Sequence, residues 1–188
     1  ARPVFSRLEA IDPLFDYLHF GLAFLEQCEG RFEPALERIR RARALEPGMV
    51  AWPLTEIQLL LQTGRGSDAV RLASSILPPA GHHPLADMTR ALVAASQGDR
   101  AGARGLLTED LTARLWTDLQ YAYFTAQVYA LLGEVDEALK WLEQSTRRGF
   151  VHFPYLSQRD PLLDGLRRDE RFDRLMAQVR QRWSELAR

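Results

Sequence analysis

The stretch Gly133-Glu134-Val135-Asp136-Glu137-Ala138-Leu139 lies between two apolar helical runs, and its pattern occurs three more times upstream. It aligns without gaps with Gly30-Arg31-Phe32-Glu33-Pro34-Ala35-Leu36, with Gly64-Arg65-Gly66-Ser67-Asp68-Ala69-Val70 and with Gly98-Asp99-Arg100-Ala101-Gly102-Ala103-Arg104. The glycines are spaced by 34, 34 and 35 residues, and an alanine stands five residues after each: Ala35, Ala69, Ala103 and Ala138. Pro13 and Pro47 repeat with the same spacing of 34. A fixed period of this length marks a repeated supersecondary unit. Glycine ends a helix where the chain needs positive φ before turning back. The small alanine lets the following helix approach its partner closely. Proline cannot continue a helix and marks the exit of the hairpin. The alternative is an irregular helical bundle with chance spacing.

Outward from these markers, the apolar periodicity predicts helices over 4–11, 14–28, 32–45, 51–63, 66–77, 84–97, 100–107, 117–131 and 135–147. A short helix near 161–167 and a long one near 170–186 follow. Asp160-Pro161 reads as a helix start, with Asp as cap and Pro at the first helical position. The last helix carries Phe172, Leu175, Met176, Val179, Trp183 and Leu186 on one stripe. Arg174, Arg180, Arg182 and Glu185 lie on its other face. That two-faced pattern suits a terminal cap on a repeat array; a partner-binding amphipathic helix reads the same way.

A 34-residue helix-turn-helix period with Gly, then Ala, then Pro resembles the tetratricopeptide repeat (TPR) family over roughly residues 4 to 150. The fourth unit, Ala126-Gln127-Val128-Tyr129-Ala130-Leu131-Leu132 followed by Gly133, fits best. The resemblance implies an all-α protein, a right-handed α-solenoid of stacked helix-turn-helix hairpins with C-terminal capping helices. Residues 1–188 then form a single TPR-like domain. Residues 1–13 are the end of a truncated repeat, 14–47, 48–81, 82–115 and 117–150 are repeats, and 151–188 are the cap. Glu56 and Arg90 depart from the pattern, since both occupy positions where the family has an apolar residue. Thr108-Glu109-Asp110 departs too, where a small core residue is expected.

The tail, with Arg148-Gly149-Phe150-Val151, Pro154-Tyr155-Leu156, Asp160-Pro161-Leu162-Leu163 and Asp169-Glu170-Arg171-Phe172, is similar to the C-terminal TPR region of bacterial proteins. Those proteins carry a serine/threonine kinase, an adenylate cyclase or a winged-helix regulator ahead of it. No motif of those domains occurs in these residues. Leu8-Glu9-Ala10-Ile11-Asp12-Pro13 reads as the last turns of a second helix whose first helix is absent. The array is therefore expected to begin upstream of Ala1.

In the family, the exposed inner face lies 13, 10, 6 and 3 residues before the glycine. The resemblance places there Tyr17, Phe20, Phe24 and Gln27; Ala51, Leu54, Gln58 and Leu61; Leu85, Met88, Leu92 and Ala95; and Gln120, Tyr123, Gln127 and Ala130. The expected peptide-binding groove comprises Tyr17, Phe20, Phe24, Gln27, Leu54, Gln58, Met88, Leu92, Gln120, Tyr123 and Gln127. None of these is charged, which suits a peptide held by its side chains, with glutamines pairing its backbone. It argues against a chaperone C-terminal carboxylate as the ligand. The same residues read equally as packing between neighbouring repeats. An uncharged face also leaves room for a homodimer.

Composition narrows the functional classes. Across 188 residues, 24 Lys and Arg stand against 25 Asp and Glu, a net charge of −1, so no bulk field recruits nucleic acid or an anionic membrane. No apolar run approaches the roughly 20 residues of a membrane helix. The lone Cys28 excludes an intramolecular disulfide and fits a reducing, cytoplasmic setting. His19, His82, His83 and His152 have no acidic or thiol companions in metal-ligand spacing. Gly64-Arg65-Gly66-Ser67 lacks the Lys-Ser/Thr ending of a phosphate loop and reads as a hairpin turn. The run Arg38-Arg40-Arg41-Arg43 reads as a solvated helix face, with an acidic docking surface as the alternative. Trp52, Trp116, Trp141 and Trp183 read as packing residues rather than a base-stacking platform. The expectation is a protein-binding scaffold rather than an enzyme, with no cofactor and no metal, acting in bacterial signalling or transcription. The rival is a homo-oligomerisation module without a separate ligand.

Overall fold

Each repeat glycine closes a helix in a left-handed turn, and the backbone bonds show why. Gly30 has φ +79°; its amide bonds the Gln27 carbonyl at 2.9 Å, and the Arg31 amide bonds the Glu26 carbonyl at 2.9 Å. These two bonds satisfy carbonyls that a helix end leaves orphaned. Gly64, Gly98 and Gly133 repeat the arrangement, with φ between +71° and +77°. Gly149 makes the same pair of bonds at the end of a later helix.

The structure, a computed structural model, describes residues 2–186. These are all-helical, with no strand among them: α1 (Arg2–Ile11), α2 (Asp16–Cys28), α3 (Phe32–Leu45), α4 (Ala51–Gln62), α5 (Gly66–Ile76), α6 (Pro84–Ser96), α7 (Arg100–Leu106), α8 (Glu109–Leu115), α9 (Leu119–Leu131), α10 (Val135–Arg147) and α11 (Glu170–Leu186). A π-helical turn at Tyr155–Arg159 and a 3-10 helix at Pro161–Leu166 precede α11. Helix α8 and the π-helical turn are not foreseen in the sequence. Helix α7 carries Gly102 and Gly105, each a weak helix former, and stops at Leu106. Thr108 then caps α8 by accepting the Leu111 amide at 3.3 Å.

The chain divides into two compact units, Ala1–Leu77 and Pro78–Arg188. In the first, α2 and α3 form one hairpin, α4 and α5 another, α3 packs on α4, and α1 packs on α2. The Phe5 ring fills the notch at Gly21, where an added Cβ would lie 2.6 Å from Phe5 Cε1. In the second unit, α6 and α7 form a hairpin, as do α9 and α10, and α6 packs on α9. The 3-10 helix lies against α9 and α10, and α11 lies against α10. Ala35 and Ala69 in the first unit, and Ala103 and Ala138 in the second, have no exposed surface. Along the α11 stripe Phe172, Leu175, Met176 and Val179 are buried and Trp183 is half-buried on His152, but Leu186 points to water. Among the described residues no helix is long and apolar enough to cross a membrane.

Candidate functional site

In the first unit, the candidate surface is built on α2. Asp12 accepts the Leu14 amide at 3.1 Å, an Asx turn that leads into α2, and His19 Nε2 bonds the Pro13 carbonyl at 2.9 Å. This turn carries Leu14 and Phe15, which stay exposed together with Ile11. One turn on, Tyr17 is 50% exposed while Phe20 and Phe24 are half-buried. Tyr17 and Phe20 pack on Trp52 of α4, with ring centroids 5.0 and 4.9 Å apart, and Phe15 lies 5.9 Å from Tyr17. Trp52 is itself buried, and its indole Nε1 has no hydrogen-bond acceptor among the described residues.

The remaining predicted groove residues are placed differently. Gln27 is buried and donates to Gln58 Oε1 at 3.0 Å and to Gln62 Oε1 at 2.9 Å. Leu54 and Leu61 are buried beside them on α4, whose residues Trp52 to Gln62 are all buried. In the second unit Leu85, Met88, Leu92, Ala95, Tyr123, Gln127 and Ala130 are buried, and Gln120 and, in the first unit, Ala51 are half-buried. The amides of Gln27, Gln58 and Gln127, read as backbone-pairing groups for a ligand, are therefore spent inside the fold, because a buried amide must find a partner. Of the eleven groove residues, Tyr17, Phe20 and Phe24 are brought together at the surface.

Tyr123 and Gln127 meet the tail segment. Tyr123 donates to Asp160 Oδ2 at 2.5 Å, Gln127 Nε2 donates to the same oxygen at 2.8 Å and to the Tyr123 oxygen at 2.7 Å, and the Tyr155 hydroxyl lies 2.8 Å from that of Tyr123. Asp160 Oδ1 accepts the Leu162 amide at 3.1 Å, so the helix cap read from the sequence is present. Burial, reinforced by Asp160 and Tyr155, raises the Tyr123 hydroxyl pKa well above its usual value. Sequence reasoning missed this cluster. Its signal is a phenol and an amide four residues apart on an otherwise apolar helix.

Two of the departures from the repeat pattern, Glu56 and Arg90, acquire partners. Glu56 is buried, and its two oxygens accept Arg40 Nε at 2.9 Å and Arg43 Nε at 2.8 Å. Arg90 bonds Asp87 at 3.0 Å and the Pro78 carbonyl. Arg38 bonds Glu9 at 2.5 Å. The arginine run is thus not a solvated face throughout: three of its four members are engaged by carboxylates of neighbouring helices.

The histidines are spent locally. His83 Nδ1 caps α6 by accepting the Leu85 amide at 3.2 Å, and His82 Nδ1 lies 3.2 Å from the Ala80 carbonyl. No group of three metal-ligating side chains occurs among the described residues, and Cys28 is buried. Between the π-helical turn and α11 runs a cleft of about 510 Å³, where the Arg180 guanidinium sits 5.7 Å over the Phe153 ring. No protein-family profile matches the chain, and no curated protein sequence matches it.

Proposed function

We propose that the chain is a tetratricopeptide-type α-solenoid that binds a protein or peptide partner, with the aromatic surface of α2 as the contact. One observation carries this reading. Among the described residues seven large hydrophobic side chains are exposed, and five of them (Val4, Ile11, Leu14, Phe15 and Tyr17) lie within residues 4–17, so the exposed apolar surface is concentrated rather than scattered. Such concentration marks interaction surfaces, and tyrosine is among the residue types enriched where a few side chains carry most of the binding energy. An apolar anchor residue of the partner would enter between Tyr17 and Phe20. The 34-residue register and the spacing of glycine and alanine support the solenoid. The tail's similarity to C-terminal regions of bacterial regulators supports a role as the docking arm of a larger signalling or transcription protein.

A photo-crosslinker at Tyr17 tests the reading, with one at Arg174 on α11 as control. Capture of one discrete partner from Tyr17 alone, abolished by Phe20→Asp, is the expected result. Equal capture from both positions would remove α2 from consideration.

A second reading has its own observation. Val4 and Ile11 lie seven residues apart on α1, and that helix has no buried residue. Two copies could cover these faces mutually as a homodimer. Sedimentation equilibrium separates the readings: mass that doubles with concentration, and reverts in Ile11→Lys, selects the dimer.

A further inference from the structure

Asp173 and Arg180 stand two turns apart on one face of α11, with Ala177 between them, and all three line the cleft that faces the π-helical turn. The Arg180 guanidinium lies over the Phe153 ring, 5.7 Å from its centroid. Neither this guanidinium nor the Asp173 carboxylate has a hydrogen bond or ion pair among the described residues. We propose that the cleft binds a free α-amino acid with an uncharged side chain: Arg180 takes the carboxylate, Asp173 takes the ammonium, and the side chain rests on Phe153 and Ala177. The cleft lies wholly in the second unit and shares no residue with the α2 surface, so the proposal does not rest on the function proposed above.

Three charged residues line the cleft, and one of them is spent. Arg167 donates Nε to the Ser157 carbonyl at 3.1 Å and Nη2 to the Asp160 carbonyl at 2.9 Å, and its Nη1 pairs with Asp164. One cation and one anion remain. The seven-residue step between them sets their Cα atoms about 10.5 Å apart along the helix, and no direct pair closes. Helical side chains lean towards the N-terminus and arginine reaches further than aspartate, so the charged groups stand closer than the Cα atoms. A free amino acid, with a hydrogen bond of about 2.9 Å at either end, bridges such a gap. A peptide moves its two termini apart by about 3.3 Å or more with each added residue. An anion without an ammonium would leave Asp173 unmatched, and a cation without a carboxylate would leave Arg180 unmatched.

The opposite wall supplies the remaining contacts. The π-helical turn at Tyr155–Arg159 is closed by the Asp160 amide on the Tyr155 carbonyl at 3.1 Å, a rare geometry that recurs at functional sites. Ser157 and Gln158 line the cleft from this turn. Ser157 Oγ gives its proton to the Phe153 carbonyl at 2.7 Å, so its lone pairs are left to accept from an ammonium. The cation–π contact with Phe153 steadies Arg180 and leaves its N–H edges for a carboxylate. Phe153 is half-buried and Ala177 exposed, whereas Phe172 and Met176, which also line the cleft, are buried, so the apolar contact is small. No further charge lines the cleft to hold a charged side chain. Its volume of about 510 Å³ is that of a small-molecule site.

The test titrates the isotope-labelled full chain with L-leucine and follows backbone amide shifts by NMR. Saturating shifts at Ser157, Gln158 and Ala177 are expected in the millimolar range. L-leucinamide, which lacks the carboxylate, and N-acetyl-L-leucine, which lacks the ammonium, should each bind at least about fivefold more weakly. Arg180→Gln should weaken leucine by at least about fivefold and leave leucinamide unchanged. Asp173→Asn should weaken leucine by at least about fivefold and leave N-acetyl-leucine unchanged. A merely structural role for either residue would move all three ligands together. Both residues are exposed, and circular dichroism checks that the variants keep their helicity. Arg174→Gln, outside the cleft, should change nothing. The absence of saturable shifts with leucine would overturn the assignment, as would equal binding of leucine and both derivatives. Leucyl-leucine binding more tightly than leucine would make the ligand a peptide and overturn it too.

Discussion

Tyr123 on α9 donates its hydroxyl proton to Asp160 across 2.5 Å, although the two residues are 37 positions apart. That bond ties the tail to the fourth hairpin from inside. One phenol has one proton to give, so Tyr155, 2.8 Å away, is left to donate to the Tyr123 oxygen, and Gln127 adds a second donor. Tyr123→Phe removes the shared centre of this network. It should cost about 1.5–3 kcal/mol, the range for hydrogen bonds to charged groups. Asp160→Ala should cost more, because two buried donors lose their charged acceptor and a helix cap worth about 1 kcal/mol goes with it. Urea unfolding monitored by circular dichroism reads both.

The same burial makes stability fall in alkali. The Tyr123 hydroxyl is held well above its ordinary pKa by burial, with Asp160 and Tyr155 adding to it, and Tyr129 is raised by burial with Glu137 and Glu134 adding. A folded-state pKa above the unfolded value of about 10 means that the unfolded chain loses its proton first. The stabilisation is therefore complete below pH 10 and drains away as pH climbs from about 10 towards the folded-state values. Absorbance at 295 nm should show at least one tyrosine that ionises only on unfolding, and this late component should shrink by one tyrosine in Tyr123→Phe.

The repeat markers predict their own sensitivities. Gly133 has φ +71°, so Gly133→Ala forces a side chain into the left-handed region at about 1–2 kcal/mol. Ala138 has no exposed surface, and Ala138→Leu should lose about 1–3 kcal/mol through overpacking. Arg104→Ala, on an exposed side chain of the same unit that bonds Glu134 at 2.7 Å, should leave stability almost unchanged, because water screens the pair. Chemical denaturation of the three variants orders them.

What the sequence makes legible is whatever is encoded locally. Gly30, Gly64, Gly98 and Gly133 announce helix ends because positive φ is a property of one residue. Asp160-Pro161 announces a helix start for the same kind of reason. The groove was less legible because exposure is not local. Tyr17 and Gln27 occupy one stripe of one helix, yet Tyr17 meets water and Gln27 meets Gln58 and Gln62, 31 and 35 residues away. Nothing within a helical period states whether a glutamine will find a ligand or another glutamine. The Glu56 side chain looked like a misfit for the same reason, since its partners Arg40 and Arg43 belong to the preceding helix.

Asp169 offers a titration at the surface. Hydrogen bonds from the Arg171 side chain and backbone hold its carboxyl down to about 2. A depressed folded-state pKa gives stabilisation that is present above the unfolded value near 4 and lost as pH falls from there towards 2. In a carboxyl carbon NMR titration the Asp169 signal should stay ionised down to about pH 2. In Arg171→Gln it should return towards the ordinary aspartate range.

Two buried carboxylates, Glu56 and Asp160, should respond oppositely to an apolar replacement. The partners of Glu56 are arginines whose side chains are 43% and 33% exposed, so they can turn to water once the carboxylate is gone. Its own desolvation penalty is then removed and no buried charge is left behind, which avoids the usual cost of deleting one member of a buried pair. Glu56→Met should therefore stay within about 1 kcal/mol of the parent stability. The partners of Asp160 are Tyr123 and Gln127, both buried to within 1% of fully enclosed, and they have no route to water. Asp160→Leu should destabilise by at least about 3 kcal/mol, as both donors lose a bond to a charged acceptor. Thermal and urea unfolding of the two variants side by side checks the contrast: similar losses in both would mean that partner exposure does not set the cost of these carboxylates.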